Sequence, residues 1–244
     1  MNKIINKENL EENENIMEVW HPLKFNDNMD YIPSNLIFKI FSNMIYYGVA
    51  YPVLKILLKI LYDLKIEGKE NLRQIKTGAI SVSNHVLILD CGMIAMACGF
   101  KKIYYTTQQE SFQIPLVKHI VRLLRAIPIS HTIHGKKKFK EAINKLLKEK
   151  SIVHFYPEHA LHPYCKRIRN FKSGAFKLAI ENEVPIIPIV IKFRKPKGVR
   201  KFLKTKDDVT LYVLDPIDTA NYKDKGKDEM EKLKHYVYGK MSAI

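Results

Sequence analysis

Residues 79–90 read Ala-Ile-Ser-Val-Ser-Asn-His-Val-Leu-Ile-Leu-Asp: a short apolar run, a polar turn holding one histidine, then an aspartate. Ala79–Ser83 reads as a strand and Leu89–Ala97 as the helix that follows it. Strand ends that turn into helices are where α/β sheets place their chemistry. The spacing restricts the geometry. On one continuous helix, five residues at about 100° each would set His85 and Asp90 about 140° apart. On one strand the odd spacing puts them on opposite faces. They meet only if His85 sits in the turn and Asp90 in the first part of the helix. In that arrangement the carboxylate fixes the imidazole tautomer, leaves the other nitrogen free to accept a proton, and stabilises the imidazolium that forms. A hydroxyl held near His85 then attacks a carbonyl directly. No covalent nucleophile is needed, although Ser83 and Cys91 lie close; a cysteine beside an apolar helix reads as packing. A lone His-x4-Asp is also the spacing of an ordinary capping or surface pair, so the rest of the chain has to decide.

Working outward, further strands are expected at Lys102–Thr106, Ile127–Ile129, Ile152–Tyr156, Ile186–Phe193 and Val209–Leu214. Helices are expected at Phe112–Leu124, Lys136–Lys150 and Ser173–Glu181, with a charged surface helix over Lys225–Tyr238. This alternation predicts a single α/β domain over residues 65–244, with a largely parallel sheet flanked by helices. No internal repeat or strong linker marks a second domain. Residues 1–30 lack hydrophobic periodicity and read as a mobile polar arm. Residues 31–64 differ: Asn35 to Leu64 is NLIFKIFSNMIYYGVAYPVLKILLKILYDL, whose only charges are Lys39, Lys55, Lys59 and Asp63. The uncharged stretch Ile40–Leu54 is short of the roughly 20 residues of a spanning helix, and Pro52 divides the segment. Two short apolar helices meeting near Gly48–Pro52 are predicted. Lys55 and Lys59 share a face and can snorkel, which suits a bilayer interface.

The chain carries 41 Lys and Arg against 25 Asp and Glu, a formal charge of +16, while residues 1–19 hold five Glu and two Lys. A basic body implies an acidic partner: nucleic acid, an anionic membrane or a phosphorylated substrate. No helix-turn-helix, zinc-finger or RNA-binding signature accompanies the charge, so no nucleic-acid partner is expected. Three cysteines without paired spacing fit a reducing compartment. Met1 to Glu18 is polar and does not read as a signal peptide. The expected location is therefore the cytoplasmic face of the cell membrane, peripheral or monotopic.

A second constellation follows the strand Ile152–Tyr156. Pro157 cannot continue a central strand, so Glu158 stands at its end. The next loop carries Lys166, Arg167, Arg169 and Lys172, and Gly174 opens the helix GAFKLAIE. Backbone amides at a helix start beside arginines make a phosphate site; a solvated basic loop, with Glu158 only capping the next segment, is the plain alternative. His154, His159, His162 and Cys165 are dense here, but the loop is short and interrupted by Pro163, so no metal is expected. His131 and His134 read as surface residues without a partner.

Together these elements resemble the PlsC-like glycerolipid acyltransferase family, whose best-known members are 1-acylglycerol-3-phosphate acyltransferases. The likeness runs from about Leu64 to Ile217. Gly68-Lys69-Glu70-Asn71-Leu72 is similar to the family's G-x-E-N-L opening, and Asn84-His85 through Asp90 to its NH-x4-D block. Tyr156-Pro157-Glu158 is similar to the start of F-P-E-G, and Val184 to Pro188 to V-P-I-x-P. The resemblance implies His85 as general base, Asp90 as its orienting partner, and Glu158, with Asn84, in substrate binding. It implies acyl-CoA or acyl carrier protein as co-substrate, no cofactor, membrane lipids as partners, and a lysophospholipid acceptor. There are departures. Leu87 stands where Ser or Thr is frequent, His159 replaces the glycine of F-P-E-G-T-R and Leu161 its arginine, and the block Arg125–His131 lacks a terminal arginine. Either Arg167, Arg169 and Lys172 hold the acceptor phosphate from the adjacent loop, or the acceptor is a phosphate-free lipid. A non-catalytic lipid-binding protein on the same fold is the remaining alternative.

Overall fold

The computed structural model describes residues 24–203, 206–222 and 226–244; residues 1–23 of the polar arm lie outside them. Its centre is a seven-stranded sheet built from β1 (Lys65–Glu67), β2 (Ala79–Ser83), β3 (Ile103–Gln108), β4 (Ala126–Ile129), β5 (Ile152–Phe155), β6 (Ile186–Arg194) and β7 (Asp208–Val213). The spatial order is β1-β7-β6-β2-β5-β3-β4. Every pairing is parallel except β6 with β7. This is the predicted α/β domain with a largely parallel sheet. The strand that feeds the His85 turn, β2, lies between β5 and β6, with Val82 beside Phe155 and Ser83 beside Ile189. Both of its faces are covered, and all five of its residues are buried.

Alternation along the strands sorts the core into two halves. Ile80, Val82, Val153, Phe155, Ile186 and Val190 pack on one face, under the helices α6 (Ile133–Lys148), α7 (Gly174–Glu181) and α9 (Gly226–Ser242). Ala79, Ile152, Ile187, Ile189 and Ile191 face the other half, under α4 (Asp90–Cys98) and α2 (Tyr51–Tyr62). The remaining short helices are α3 (Lys69–Arg73), α5 (Val117–Leu123) and α8 (Arg200–Leu203).

Several element ends differ from expectation for local reasons. The helix expected from Phe112 starts only at Val117, because Pro115 interrupts it and Leu116 takes a φ of 67°. The helix expected from Lys136 starts at Ile133, where the Thr132 hydroxyl accepts from the Gly135 amide as an N-cap.

The apolar pair is present as α1 (Leu36–Ile45) and α2, but the two helices do not break at Gly48–Pro52. They are joined by a π-helical turn, Tyr46–Ala50. The Tyr51 amide reaches back to the Tyr46 carbonyl, and this widened turn gives the Pro52 ring room that an α-helical turn would deny it. The result is one run, Leu36–Tyr62, of 27 residues, long and apolar enough by length and composition to cross a membrane. Asn35 caps its start through the Ile37 and Phe38 amides. One face packs on the domain: Ser42, Tyr46 and Leu58 are buried, and Gly92 of α4 admits Leu54 so closely that a Cβ there would lie 3.2 Å from it. The other face exposes Leu36, Ile37, Ile40, Val53, Ile56 and Ile60.

Candidate active site

Where β2 ends, Asn84 fixes the departing chain. Its Nδ2 donates to the Ile191 carbonyl at 3.0 Å and its Oδ1 accepts from the Ile191 amide at 2.8 Å. The buried Asn84 amide is thereby spent on tying the turn to β6.

The turn then brings His85 and Asp90 together. Asp90 is the first residue of α4, and its Oδ2 accepts from the Val86 amide at 2.7 Å, the Leu87 amide at 3.0 Å and His85 Nδ1 at 3.0 Å. Two backbone donors thus fix the carboxylate oxygen before the imidazole meets it, so Nδ1 carries the proton and Nε2 the lone pair. Asp90 is fully buried. Burial pushes its carboxyl up from the ordinary range, and the bonds from His85, Leu87 and Val86 pull it back down.

The other face of the imidazole is braced. The rings of His85 and Tyr156 stack at 3.9 Å with 17° between planes, and the Tyr156 hydroxyl lies 3.2 Å from Cys91 Sγ. Behind Tyr156, the His154 ring meets it edge-on at 4.7 Å. His154 has no solvent exposure; its Nδ1 pairs with Ser81 Oγ at 2.9 Å and its Nε2 with Ser83 Oγ at 3.2 Å. Burial holds this imidazole neutral, its pKa lowered to about 3. Neither residue considered as a nucleophile is activated: Ser83 is engaged by His154 and the Asn84 carbonyl, and burial raises the Cys91 thiol to about 11, far from a reactive thiolate.

Glu158 joins the two constellations. Its buried carboxylate accepts from the His85 amide through Oε2 at 3.2 Å and from the Arg169 amide through Oε1 at 2.8 Å, and Arg169 Nε lies 3.5 Å from Oε2. Burial raises the Glu158 pKa, and the Arg169 and His85 amides oppose that shift. The Arg169 guanidinium also donates to the carbonyls of Glu158 and Ala160. Two further amides, of His162 and Tyr164, donate to the carbonyls of His85 and Val86, both at 3.0 Å, clasping the turn from outside. Asn84, His85, Asp90, Glu158 and Arg169 thus form one assembly. Arg167 and Lys172 sit on the exposed surface of the same loop.

His85 opens onto a cavity of about 480 Å³. Its walls are mainly apolar: Ala50 and Leu54 of the N-terminal run, Ala95 of α4, Leu124 and Ile129. Tyr46 and Tyr105, joined hydroxyl to hydroxyl at 3.1 Å, also line it. The lining also includes the polar side chains of Gln108, Ser111, His131 and His159. Among the described residues no Lys, Arg, Asp or Glu lines it. His131 is not unpartnered, as its sequence context suggested: Nε2 lies 3.0 Å from Glu110 Oε1. His159 holds a φ of 73°, the region glycine enters freely, so a glycine in related sequences at this turn is conformationally intelligible. The stack of Tyr156 on His85 and the His154 network were not read from the sequence, because their partners lie more than seventy residues apart.

The Acyltransferase family model matches residues 63–192. A chloroplastic 1-acyl-sn-glycerol-3-phosphate acyltransferase of Arabidopsis thaliana is 27% identical over 161 residues, 65% of this chain and 44% of that protein. An uncharacterized acyltransferase of Schizosaccharomyces pombe is 29% identical over 78% of this chain and 66% of its own. A 1-acyl-sn-glycerol-3-phosphate acyltransferase of Saccharomyces cerevisiae is 28% identical over 80% of this chain and 64% of its own. The chain therefore spans between about two fifths and two thirds of the length of these relatives. The crystal structure of the 1-acyl-sn-glycerophosphate acyltransferase PlsC from Thermotoga maritima shares the fold, with a TM-score of 0.54, 20% identity, and coverage of 85% of this chain and 92% of that one. With the family match extending over more than half its length, the chain belongs to the PlsC-like acyltransferase family.

Proposed function

We propose that this protein moves a fatty acyl group from acyl-CoA or acyl carrier protein to a hydroxyl of a lysophospholipid such as 1-acylglycerol-3-phosphate, at a membrane surface. The observation that carries the reading is His85: its Nδ1 is held by a buried carboxylate while the ring lines an apolar cavity able to take an acyl chain. In this scheme Nε2 takes the proton of the acceptor hydroxyl as its oxygen attacks the thioester carbonyl. The C–S bond then breaks, and the imidazolium returns the proton to the leaving thiolate. Asp90 stabilises the imidazolium between these steps. Asn84, Glu158 and Arg169 act as positioning residues, since their polar atoms are spent on holding the turn. Exposed Arg167 and Lys172 attract the acidic donor or an acceptor phosphate outside the cavity.

Membrane placement is supported by the way the apolar run lies on the domain. Ser42 Oγ donates to the Leu123 carbonyl at 2.7 Å near one end, and Arg200 donates to the Ile60 carbonyl at 3.1 Å near the other. These anchors span about 27 Å of helix. Crossing a bilayer would drag the flank of the sheet into hydrocarbon, so a monotopic placement, with the exposed face in the interface, fits the packing. The same run walls the cavity through Tyr46, Ala50, Tyr51 and Leu54, which gives a lipid substrate a short route in.

A phosphate-free lipid acceptor is the second reading. It is favoured by the absence of Lys and Arg from the lining among the described residues and by the engagement of Arg169 with Glu158. The test is thiol release from palmitoyl-CoA or palmitoylated carrier protein in vesicles, against lysophosphatidate and phosphate-free monoacyl acceptors. Turnover with lysophosphatidate that is lost in His85→Ala is expected; turnover only with phosphate-free acceptors selects the second reading, and His85→Ala at full activity removes the proposed base.

A further inference from the structure

The connection between β6 and β7 is far longer than its geometry requires. Arg194 ends β6 and Asp208 begins β7, and an antiparallel pair is commonly joined by a two-residue turn. Here residues 195–207 intervene, and among the described ones Arg200–Leu203 form the single turn α8. Two features set this connection and its flanking residues apart from an ordinary surface loop. Its arginines turn inward: Arg194 Nη2 bonds Asp63 Oδ2 at 2.6 Å, Arg200 Nη2 bonds Asp208 Oδ1 at 2.8 Å, and Arg200 also takes the Ile60 carbonyl. That carbonyl belongs to the last turn of α2, where no intrahelical donor remains for it. The apolar residues turn outward: Val199 is 72% exposed and Phe202 88% exposed. Val199 immediately precedes this turn, and its carbonyl accepts from the Phe202 amide at 3.1 Å, so the two lie close together on the connection.

We propose that Val199 and Phe202 form a second bilayer contact, continuing the exposed apolar face of α1 and α2 past the C-terminal end of α2. The proposal rests on the membrane reading above. The occupant is a lipid surface bearing anionic headgroups. The hairpin is clamped to the end of α2, whose neighbouring Ile56 and Ile60 are each about 60% exposed, so the two apolar patches adjoin. Lys197 and Lys201, both exposed, flank Val199 as headgroup-seeking cations. This second contact, beyond the C-terminal end of α2, restrains the domain from rocking about the run and keeps the cavity wall made by Tyr51 and Leu54 facing the same leaflet.

The experiment uses the full chain with vesicles of three parts phosphatidylcholine to one of phosphatidylglycerol. Trp20, the chain's only tryptophan, is replaced by Phe, and Phe202→Trp supplies the probe. The emission of this new indole should shift to the blue on binding and be quenched by bromines on the lipid acyl chains. Val199→Ser with Phe202→Ser should weaken vesicle binding about tenfold, leaving thermal unfolding in detergent unchanged because neither side chain is packed. Vesicle-bound protein with an unquenched probe, or an unweakened double variant, overturns the proposal. Ile56→Ser with Ile60→Ser separates the two ideas. If that variant loses binding while the hairpin variant keeps it, the membrane reading stands and the hairpin contact falls; if the parent protein fails to bind, both fall.

Discussion

His154 is the buried group whose titration most directly probes the support under the His85 ring. In the native chain its ring is sealed between β2 and Tyr156, with both nitrogens on serine hydroxyls, and burial lowers its pKa from 6.5 to about 3. The unfolded chain takes up a proton below pH 6.5 and the native chain takes none until about pH 3. The stabilisation is therefore complete above pH 6.5 and drains away as the pH falls through that window. At about 1.4 kcal/mol per pH unit, going from pH 7.5 to 5 costs about 2 kcal/mol. His154→Gln keeps polar atoms within reach of Ser81 and Ser83 but cannot protonate. Equilibrium urea unfolding in mild detergent, repeated from pH 7.5 to 5, should show a stability curve flatter by that amount in the variant. The difference between the curves removes the contribution of the other eight histidines. Parallel curves would mean that His154 is hydrated or already charged in the native state, and the brace behind Tyr156 would have to be redrawn.

Asp90→Asn retains an oxygen for the Val86 and Leu87 amides, so the His85 tautomer should survive while the charge opposite the imidazolium is lost. We expect kcat to fall on the order of 100-fold (about 2.7 kcal/mol) with KM little changed in the thiol-release assay; an unchanged kcat would discard the pair. Ala95→Phe fills part of the cavity, so a long donor should lose about fourfold in kcat/KM for each methylene excluded (about 0.8 kcal/mol) while decanoyl-CoA is spared. An identical chain-length profile would mean the acyl chain lies elsewhere. Cys91→Ser should stay within about threefold of the parent in kcat, because a thiol with a pKa of about 11 offers no thiolate; abolition of turnover would return Cys91 to the reaction.

The legible part of the site was local. A histidine five residues before an aspartate, between a strand and a helix, has one way to make contact, and the structure has it at 3.0 Å. The alternation of apolar strands and helices carried the parallel sheet, since the central strands β2 and β5 are buried along their whole length. The π turn was less legible. Pro52 announces a disturbance, but whether the helix breaks or widens depends on what Tyr46 and Leu58 pack against, which local pattern does not encode. Arg169 shows the same limit from the side of charge. Four cations within seven residues advertise a site for anions, yet the nearest anion is the chain's own Glu158. The two stand eleven positions apart across an irregular loop, and only tertiary structure makes that choice.

That inward use of charge changes how the basic composition should be read. Arg169 is committed to Glu158, Arg194 and Arg200 to Asp63 and Asp208, and Arg125 to Asn43 and the Tyr46 ring. These arginines are planar donors consumed in holding loops and the apolar run in place. The cations left on the surface are dominated by lysines, for instance Lys136, Lys137 and Lys145 along α6, which act as hydrated point charges rather than as bidentate phosphate clamps. A surface of that kind concentrates acidic donors and anionic lipid near the domain without selecting one. On the proposed function selectivity then falls to the cavity, whose polar lining includes histidines, a glutamine and a serine. On the proposed function the work is divided: diffuse positive charge gathers the substrates, and neutral hydrogen-bonding groups around an apolar cavity choose among them.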